Sequence, residues 1–451
     1  MLLAIYSAVL WLVAPFVWAG MFWRARRAGA NWEILCAERF GHYTQPWDGP
    51  RPVWVHAVSL GETRGAATLI RGLLAQGDRV LLTHMTPTGR AEGARLFADE
   101  IAAGQLRQQW VPYDFPGATR DFFEHYHPRL GLLVEREVWP NLIAQAKLCG
   151  IPMLMVNARF SQQALEHVHQ IERFFGSLLR DAYTSLDLVL AQTAEDAARL
   201  FEIGVRNVLV LGNMKFDLQL PEVAIETGRH WRVALDRPVI AIASTRDGED
   251  VLFAQALKRL LTKQTRALFF LIPRHPQRFD EAASHLDEAG LRYARWSVIR
   301  RDSPSVPYIA DLQVILADTV GEMPFFYAAS DIAIVAGSFA PFGGQNLIEP
   351  CAVGAPVIVG PHTHNFKDAV HDAVAQGVAV QITGHSDDAN SAEKTAQSTT
   401  ALALIQAFEW LGDPVSLEQR GQKAKAWVAQ HKGATKRTLE QITEFENALG
   451  Q

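Results

Sequence analysis

Apolar residues recur along this chain in two rhythms. Short β-branched or aliphatic runs stand at 52–58, 80–84, 130–134, 153–156, 188–191 and 208–211. A second series follows at 239–243, 268–272, 314–317, 332–335 and 356–359. Stretches of helical spacing, such as 66–75 and 254–261, separate them. Continuous apolar runs of this length indicate strands buried on both faces, and the alternation with helices indicates parallel sheets. The alternation occupies both halves, which predicts an α/β protein of two doubly wound, Rossmann-like domains. We place them at 45–220 and 230–425, with the join near 218–229. The polar stretch 384–400 lacks apolar periodicity and reads as a solvated loop. The charge-rich segment 415–449 is helical in pattern, with a C-terminal helix at 426–451.

The first segment follows neither rhythm. Residues 1–23 carry no charged side chain, and Arg24, Arg26 and Arg27 follow at once. A stretch of this length can cross a bilayer, and Trp11, Trp18, Phe22 and Trp23 suit its interface. The alternative is a cleaved signal peptide, but no basic region precedes the apolar run. The reading is an anchor at 1–23, spanning or monotopic, whose arginines hold the following chain on the cytoplasmic side.

Composition narrows the field. A chain of 451 residues exceeds one ordinary core, so two domains are natural. A hydrophobic fraction of 49% with 20% charged residues is globular, and a net charge of −5 argues against a nucleic-acid binder. Cys36, Cys149 and Cys351 are widely spaced and odd in number, which reads as buried thiols in a reducing compartment, not as disulfides or metal ligands.

In open α/β sheets ligands sit at the carboxyl ends of the strands, and here those ends are polar. His56-Ala57-Val58-Ser59-Leu60-Gly61-Glu62-Thr63 follows the first strand, and Thr86-Pro87-Thr88-Gly89 the second. Glu135-Arg136-Glu137 follows the run at 130–134, and Asn157-Ala158-Arg159 the run at 153–156. In the second half come Ser244-Thr245-Arg246, Arg274-His275, and Gly321-Glu322. Gly343-Gly344-Gln345-Asn346-Leu347-Ile348-Glu349 is the richest loop. Its paired glycines permit positive φ and close backbone approach. If a helix begins there, Asn346 and Glu349 share a face near unpaired N–H groups, a cradle for a sugar diphosphate or ribose phosphate. An ordinary glycine turn is the alternative. Both domains are expected to aim these loops at one cleft.

In this order and spacing, the runs at 56–63, 86–89, 111–117, 212–217 and 326–331 resemble the Kdo (3-deoxy-D-manno-octulosonic acid) transferases of Gram-negative bacteria. The resemblance implies a membrane-bound GT-B glycosyltransferase of the inner membrane's cytoplasmic face. It implies CMP-Kdo as donor, a lipid A precursor (lipid IVA) as acceptor, inversion at the anomeric carbon, and neither metal nor cofactor. Two positions depart from the family pattern, Gln345 for its usual histidine and Arg136 for its usual threonine. Arg136 sets a cation between two carboxylates, which can move their pKa values or the acceptor preference.

The resemblance and the chemistry agree on roles. Glycosyl transfer to a hydroxyl needs a base, and Glu62 matches the family's catalytic glutamate. Its place near a helix N-terminus is expected to keep it ionised and to lower its basicity; a plain helix-capping glutamate is the alternative. His56 is a second candidate base or a structural histidine. Ser59, Gly61, Thr86, Thr88, Glu135, Glu137 and Arg159 form the expected acceptor set. By strand alternation Glu135 and Glu137 face one side, as an acceptor-binding pair or as ion-pair partners of Arg136 or Arg159. The donor set is Lys215, Ser244, Thr245, Arg246, Arg274, His275, Gly321, Glu322, Gly343, Gly344, Asn346 and Glu349. Its cations suit phosphate and the Kdo carboxylate, or they are solvated surface charges. A transferase of the same fold using a UDP-sugar or ADP-heptose, or a non-catalytic sugar binder, would show similar loops.

Overall fold

The computed structural model describes residues 1–27, 32–261, 266–302, 309, 311–383 and 392–450. The chain divides into two compact units. One is built from Met1–Leu218 with His431–Gln451, the other from Gln219–Gln430.

Among the described residues each unit holds one seven-stranded sheet, parallel throughout. In the first unit the strands are β1 (Val53–His56), β2 (Val80–His84), β3 (Leu106–Trp110), β4 (Leu130–Val134), β5 (Met153–Ala158), β6 (Leu188–Ala191) and β7 (Val208–Val210), in spatial order β3-β2-β1-β4-β5-β6-β7. The second unit uses β8 (Val239–Thr245), β9 (Leu268–Pro273), β10 (Tyr293–Arg295), β11 (Val314–Leu316), β12 (Ile332–Val335), β13 (Val357–Val359) and β14 (Ala379–Gln381), ordered β10-β11-β9-β8-β12-β13-β14. β1, β2 and β4 are buried at every position, as strands covered on both faces must be.

Chain order reverses between β1 and β4 in the first sheet and between β8 and β12 in the second. At such a switch point the flanking loops diverge to opposite faces and leave a crevice at the carboxyl edge. The loops after β1, β4, β8 and β12 are therefore the ones the fold sets aside for ligands.

The helices that matter below are α1 (Leu2–Arg27), α2 (Leu60–Ala75), α3 (Pro87–Leu96), α4 (Pro140–Leu148), α5 (Leu178–Thr184), α6 (Glu249–Leu260), α7 (Ile348–Val353), α8 (Ala392–Leu411), α9 (Pro414–His431) and α10 (Ala434–Leu449). α10 returns to the first unit. Asp217 accepts from the N–H groups of Gly433 (2.5 Å) and Thr435 (2.6 Å) at its start. Ile442 joins the core of Leu69 and Leu73 from α2, and Arg129 pairs with Glu446.

Several expectations need correction. β3, β10 and β14 escape the apolar reading because all three are edge strands with polar positions, as in Leu106-Arg107-Gln108-Gln109-Trp110. The apolar helix runs on to Arg27, since nothing after Trp23 breaks it. Residues 392–400 are helical, with Thr399 and Thr400 buried, where a loop is expected; 384–391 lie outside the described residues. The stretch 415–449 is two helices parted at Gly433, whose φ of 93° favours glycine. The contact boundaries fall at 218/219 and 430/431, so the final helix belongs to the first unit. Of the cysteines only Cys351 is buried; Cys149 is exposed at the end of α4.

Candidate active site

The first unit gathers its chemistry at its switch point. β1 ends at His56 and the chain turns through Val58 and Ser59 into α2, which places Glu62 in the first turn. The Glu62 carboxylate accepts from the Val58 N–H (2.6 Å) and the Ser59 hydroxyl (3.2 Å). These bonds tie the first turn of α2 back to the loop before it, so a local capping role is present. It is not the whole of the environment. Burial, then the nearby charges of Glu135 and Glu137, push the Glu62 carboxyl up to about 7. The expected lowering by the helix N-terminus is therefore overturned, because desolvation and two like charges outweigh the dipole and both hydrogen bonds.

Strand alternation does not explain Glu135 and Glu137. β4 ends at Val134, and Glu135 takes a left-handed conformation with φ 65°. Such backbone is uncommon outside glycine and is held here by bonds from the Glu135 N–H to Val156 O (3.1 Å) and from the Arg159 N–H to Glu135 O (3.1 Å). Glu137 accepts from the Trp139 indole (3.2 Å), and burial raises its carboxyl. Arg136 is exposed and acts on Glu137 only as a charge that lowers it.

Lys215, expected among the donor residues, pairs with a carboxylate of the first unit. It stands in the first unit, its ammonium 2.6 Å from Glu135, with its alkyl stem near Gly65 of α2. Asn157 is also left-handed (φ 52°), and its side chain accepts from the Met214 N–H (2.9 Å), tying the Lys215 turn to the end of β5. Thr86 caps α3 through the Gly89 N–H (3.2 Å) and donates to Val58 O (3.0 Å). Thr88 in turn donates to Thr86 (3.4 Å). A side chain at Gly89 would meet Val58 O and Ser59, so glycine lets α3 close on the Glu62 turn, whereas the space around Gly61 is open. His56 is fully buried, bonded to Thr83 (2.8 Å), with burial lowering its pKa to about 3. That fits a structural imidazole better than a base. A cavity of about 660 Å³ lies elsewhere, at the free edge of β3 beside Arg79, Arg90 and Arg107, and takes in none of the candidate residues.

In the second unit the buried carboxylate of Glu249 spans the switch point. It accepts from the N–H groups of Arg246 (2.8 Å), Gly337 (2.7 Å), Phe339 (2.9 Å) and Ala340 (3.2 Å), and so ties the loop after β8 to the loop after β12. Four charge-assisted bonds hold both loops at fixed spacing. Ser244 is left-handed at φ 62°, and the buried Thr245 marks a register shift at the end of β8. The Arg246 guanidinium rests over the Phe342 ring, 4.7 Å from its centroid. The Arg274 N–H bonds Thr245 O (2.9 Å), which sets Arg274 and His275 beside Arg246; burial and those two cations lower His275. Gly321 is left-handed with open space about it, and Glu322 pairs with Arg300 (2.9 Å).

α7 begins at Ile348 and not at the glycines, yet Asn346 and Glu349 do meet. Asn346 donates to Glu349 (3.1 Å) and accepts from the Ile348 N–H (3.0 Å). Gly343 and Gly344 are both left-handed, and a Cβ at Gly343 would lie 2.5 Å from side-chain nitrogens of His364 and Asn365. Gln345 lies against Gly337, so the departing residue touches the loop after β12.

Sequence reasoning passed over Glu249, the buried pair Arg278–Asp250 and Asp217. A signal for the first was present. Gly-Glu recurs at 61–62, 248–249 and 321–322, each time where a strand gives way to a helix.

The fold is that of the GT-B glycosyltransferases. A solved glycosyltransferase structure from Rickettsia africae superposes with a TM-score of 0.54 at 15% identity, covering 88% of this chain and 99% of that one. The particular family follows from sequence. The family described as 3-deoxy-D-manno-octulosonic-acid transferase (kdotransferase) matches residues 35–218. The Bordetella pertussis 3-deoxy-D-manno-octulosonic acid transferase is 50% identical over 98% of this chain and 99% of its own length. The Haemophilus influenzae enzyme of that name is 31% identical over 91% of each. The chain belongs to the 3-deoxy-D-manno-octulosonic acid transferase family and is a glycosyltransferase.

Proposed function

We propose that this enzyme moves Kdo from CMP-Kdo to a lipid A precursor with inversion at the anomeric carbon. The observation that carries the reading is the carboxyl of Glu62, raised to about 7 by burial and by Glu135 and Glu137, of which Glu135 pairs with Lys215. A base tuned near the working pH takes a hydroxyl proton efficiently. The acceptor hydroxyl gives its proton to Glu62 while its oxygen forms the new bond to the anomeric carbon. The bond from that carbon to the phosphate oxygen breaks, and its electron pair leaves with CMP. Ser59, Thr86, Thr88, Glu137 and Arg159 hold the acceptor sugar. In the second unit Arg246, Arg274 and His275 take the phosphate and the Kdo carboxylate, while Asn346 and Glu349 take the ribose hydroxyls. No metal or further cofactor is required.

We place the enzyme on the cytoplasmic face of the inner membrane, with α1 lying in the membrane surface. α1 docks along most of its length on the first unit. Tyr6 donates to Asp114 (2.9 Å), Ser7 to Asn141 (3.1 Å), Trp11 stacks on Phe115 (4.1 Å), and Trp18 packs on Phe40 and Tyr113. The opposite face shows Ile5, Leu12 and Phe16, with Phe16 78% exposed. A helix upright in the bilayer would carry Asp114 and its hydrogen-bonded loop into hydrocarbon, a costly place for polar groups.

The test is a transfer assay with purified enzyme, CMP-Kdo and tetra-acylated lipid A precursor, read by mass spectrometry. Product heavier by one or more Kdo units is expected. Failure of folded enzyme to consume either substrate would overturn the reading.

A further inference from the structure

A cavity of about 470 Å³ lies in the first unit where α1 begins. Its apolar walls are Leu2 and Leu3 of α1, Ile143 and Ala144 of α4, and Leu178 and Ala182 of α5. Asp181 and Ser185 border it on one side, and the Asp181 carboxylate is met by the Ser177 hydroxyl (2.8 Å). Pro140 also lines it. That residue opens α4 three positions after Glu137, close in the chain to the loop that carries the acceptor-side carboxylates.

We infer that this cavity holds an acyl chain of the lipid acceptor while its sugar is at Glu62 and Glu137. The inference rests on the lipid-acceptor reading above and deepens it. Three observations select an acyl chain. One wall is the first turn of the apolar helix α1, the element that shows Ile5, Leu12 and Phe16 on its outward side. The lining is aliphatic along three helices, which rewards hydrocarbon over water. The cavity includes Pro140, three positions after Glu137 in the chain, so a glycolipid held there has its polar head near the loop after β4. The hydrogen bonds of Tyr6 to Asp114 and Ser7 to Asn141 fix the first turns of α1 against α4, so the α1 wall stays in place. An acyl subsite would let the enzyme grip its acceptor by the tail and present the sugar in one orientation, a positioning effect that mainly lowers KM.

The experiment compares tetra-acylated lipid A precursor with the same disaccharide stripped of its acyl chains. Ala144→Trp fills the cavity from α4, and Ser185→Phe fills it from the other wall should the first variant fail to fold. The wild type is expected to show a KM at least tenfold lower for the acylated acceptor. Either variant should erase that preference while leaving kcat/KM for the stripped acceptor within about twofold. Equal KM values for both acceptors in the wild type, or filling variants that keep the preference, would overturn the acyl subsite while leaving the transferase reading intact. No transfer to either acceptor by the wild type would overturn the acceptor reading and the subsite with it.

Discussion

The ammonium of Lys215 lies 2.6 Å from Oε1 of Glu135, two residues brought together across 80 positions of chain by the ends of β4 and β7. The pair holds one of the two carboxylates that raise Glu62. Lys215→Ala would leave Glu135 buried without that cation, beside two other acids. We expect the alkaline shift of Glu62 to grow and kcat/KM at pH 7 to fall by about 10- to 100-fold. Donor KM should change little if the ion pair with Glu135 is the role of Lys215. A pH–rate series on the variant checks both; a large rise in donor KM with an unmoved pH profile would return Lys215 to the donor.

Glu62→Gln keeps the capping oxygen and removes the base. Transfer should fall by about 10²- to 10⁴-fold, with CMP binding by calorimetry unchanged. Near-normal turnover in this variant would leave Glu62 with capping alone.

The pH profile separates the two roles in the unaltered enzyme. With a carboxyl near 7, kcat/KM should climb about tenfold per unit below pH 7 and level off above it. An ordinary capping carboxylate would already be flat at pH 6.

Stability gives an independent reading. Folded Glu62 holds its proton to about 7 against an ordinary value of 4.5. Between those values the folded state binds the proton more tightly than the unfolded chain, so this group's contribution declines as pH rises from 4.5 through 7. Glu62→Gln removes the decline. The variant should match the wild type at pH 4 and exceed it at pH 8 by on the order of 2 kcal/mol, measured by urea unfolding. A constant offset across pH would contradict the raised carboxyl.

Arg246→Ala should raise donor KM by about tenfold or more with acceptor KM unmoved, since its guanidinium over Phe342 stands in the loop joined by Glu249 to the glycine loop after β12. Steady-state kinetics with each substrate varied in turn decides it.

Much of the fold was legible because a doubly wound sheet writes its central strands as unbroken apolar runs. β1, β2, β4, β8, β9 and β12 were readable for that reason. β3, β10 and β14 were not, because an edge strand buries one side only and tolerates Arg107, Gln108 or Arg295. At the site, spacing exposed Glu62 and the Asn346–Glu349 contact, both local in sequence. The Lys215–Glu135 pair and the four bonds to Glu249 join distant loops, and no local pattern encodes them. The direction of the Glu62 shift was misread for the same cause, since its neighbours come from the other side of the switch point.

The return of α10 to the first unit makes the second unit an insertion within it. During synthesis the strands β1–β7 leave the ribosome long before the helix that covers Leu69 and Leu73 of α2. The whole of 219–430 must be made before Asp217 can meet Gly433 and Thr435. A nascent chain halted in that interval carries its apolar N-terminal helix and an uncovered apolar flank together, so early need of a chaperone or other apolar cover is built into its order of assembly.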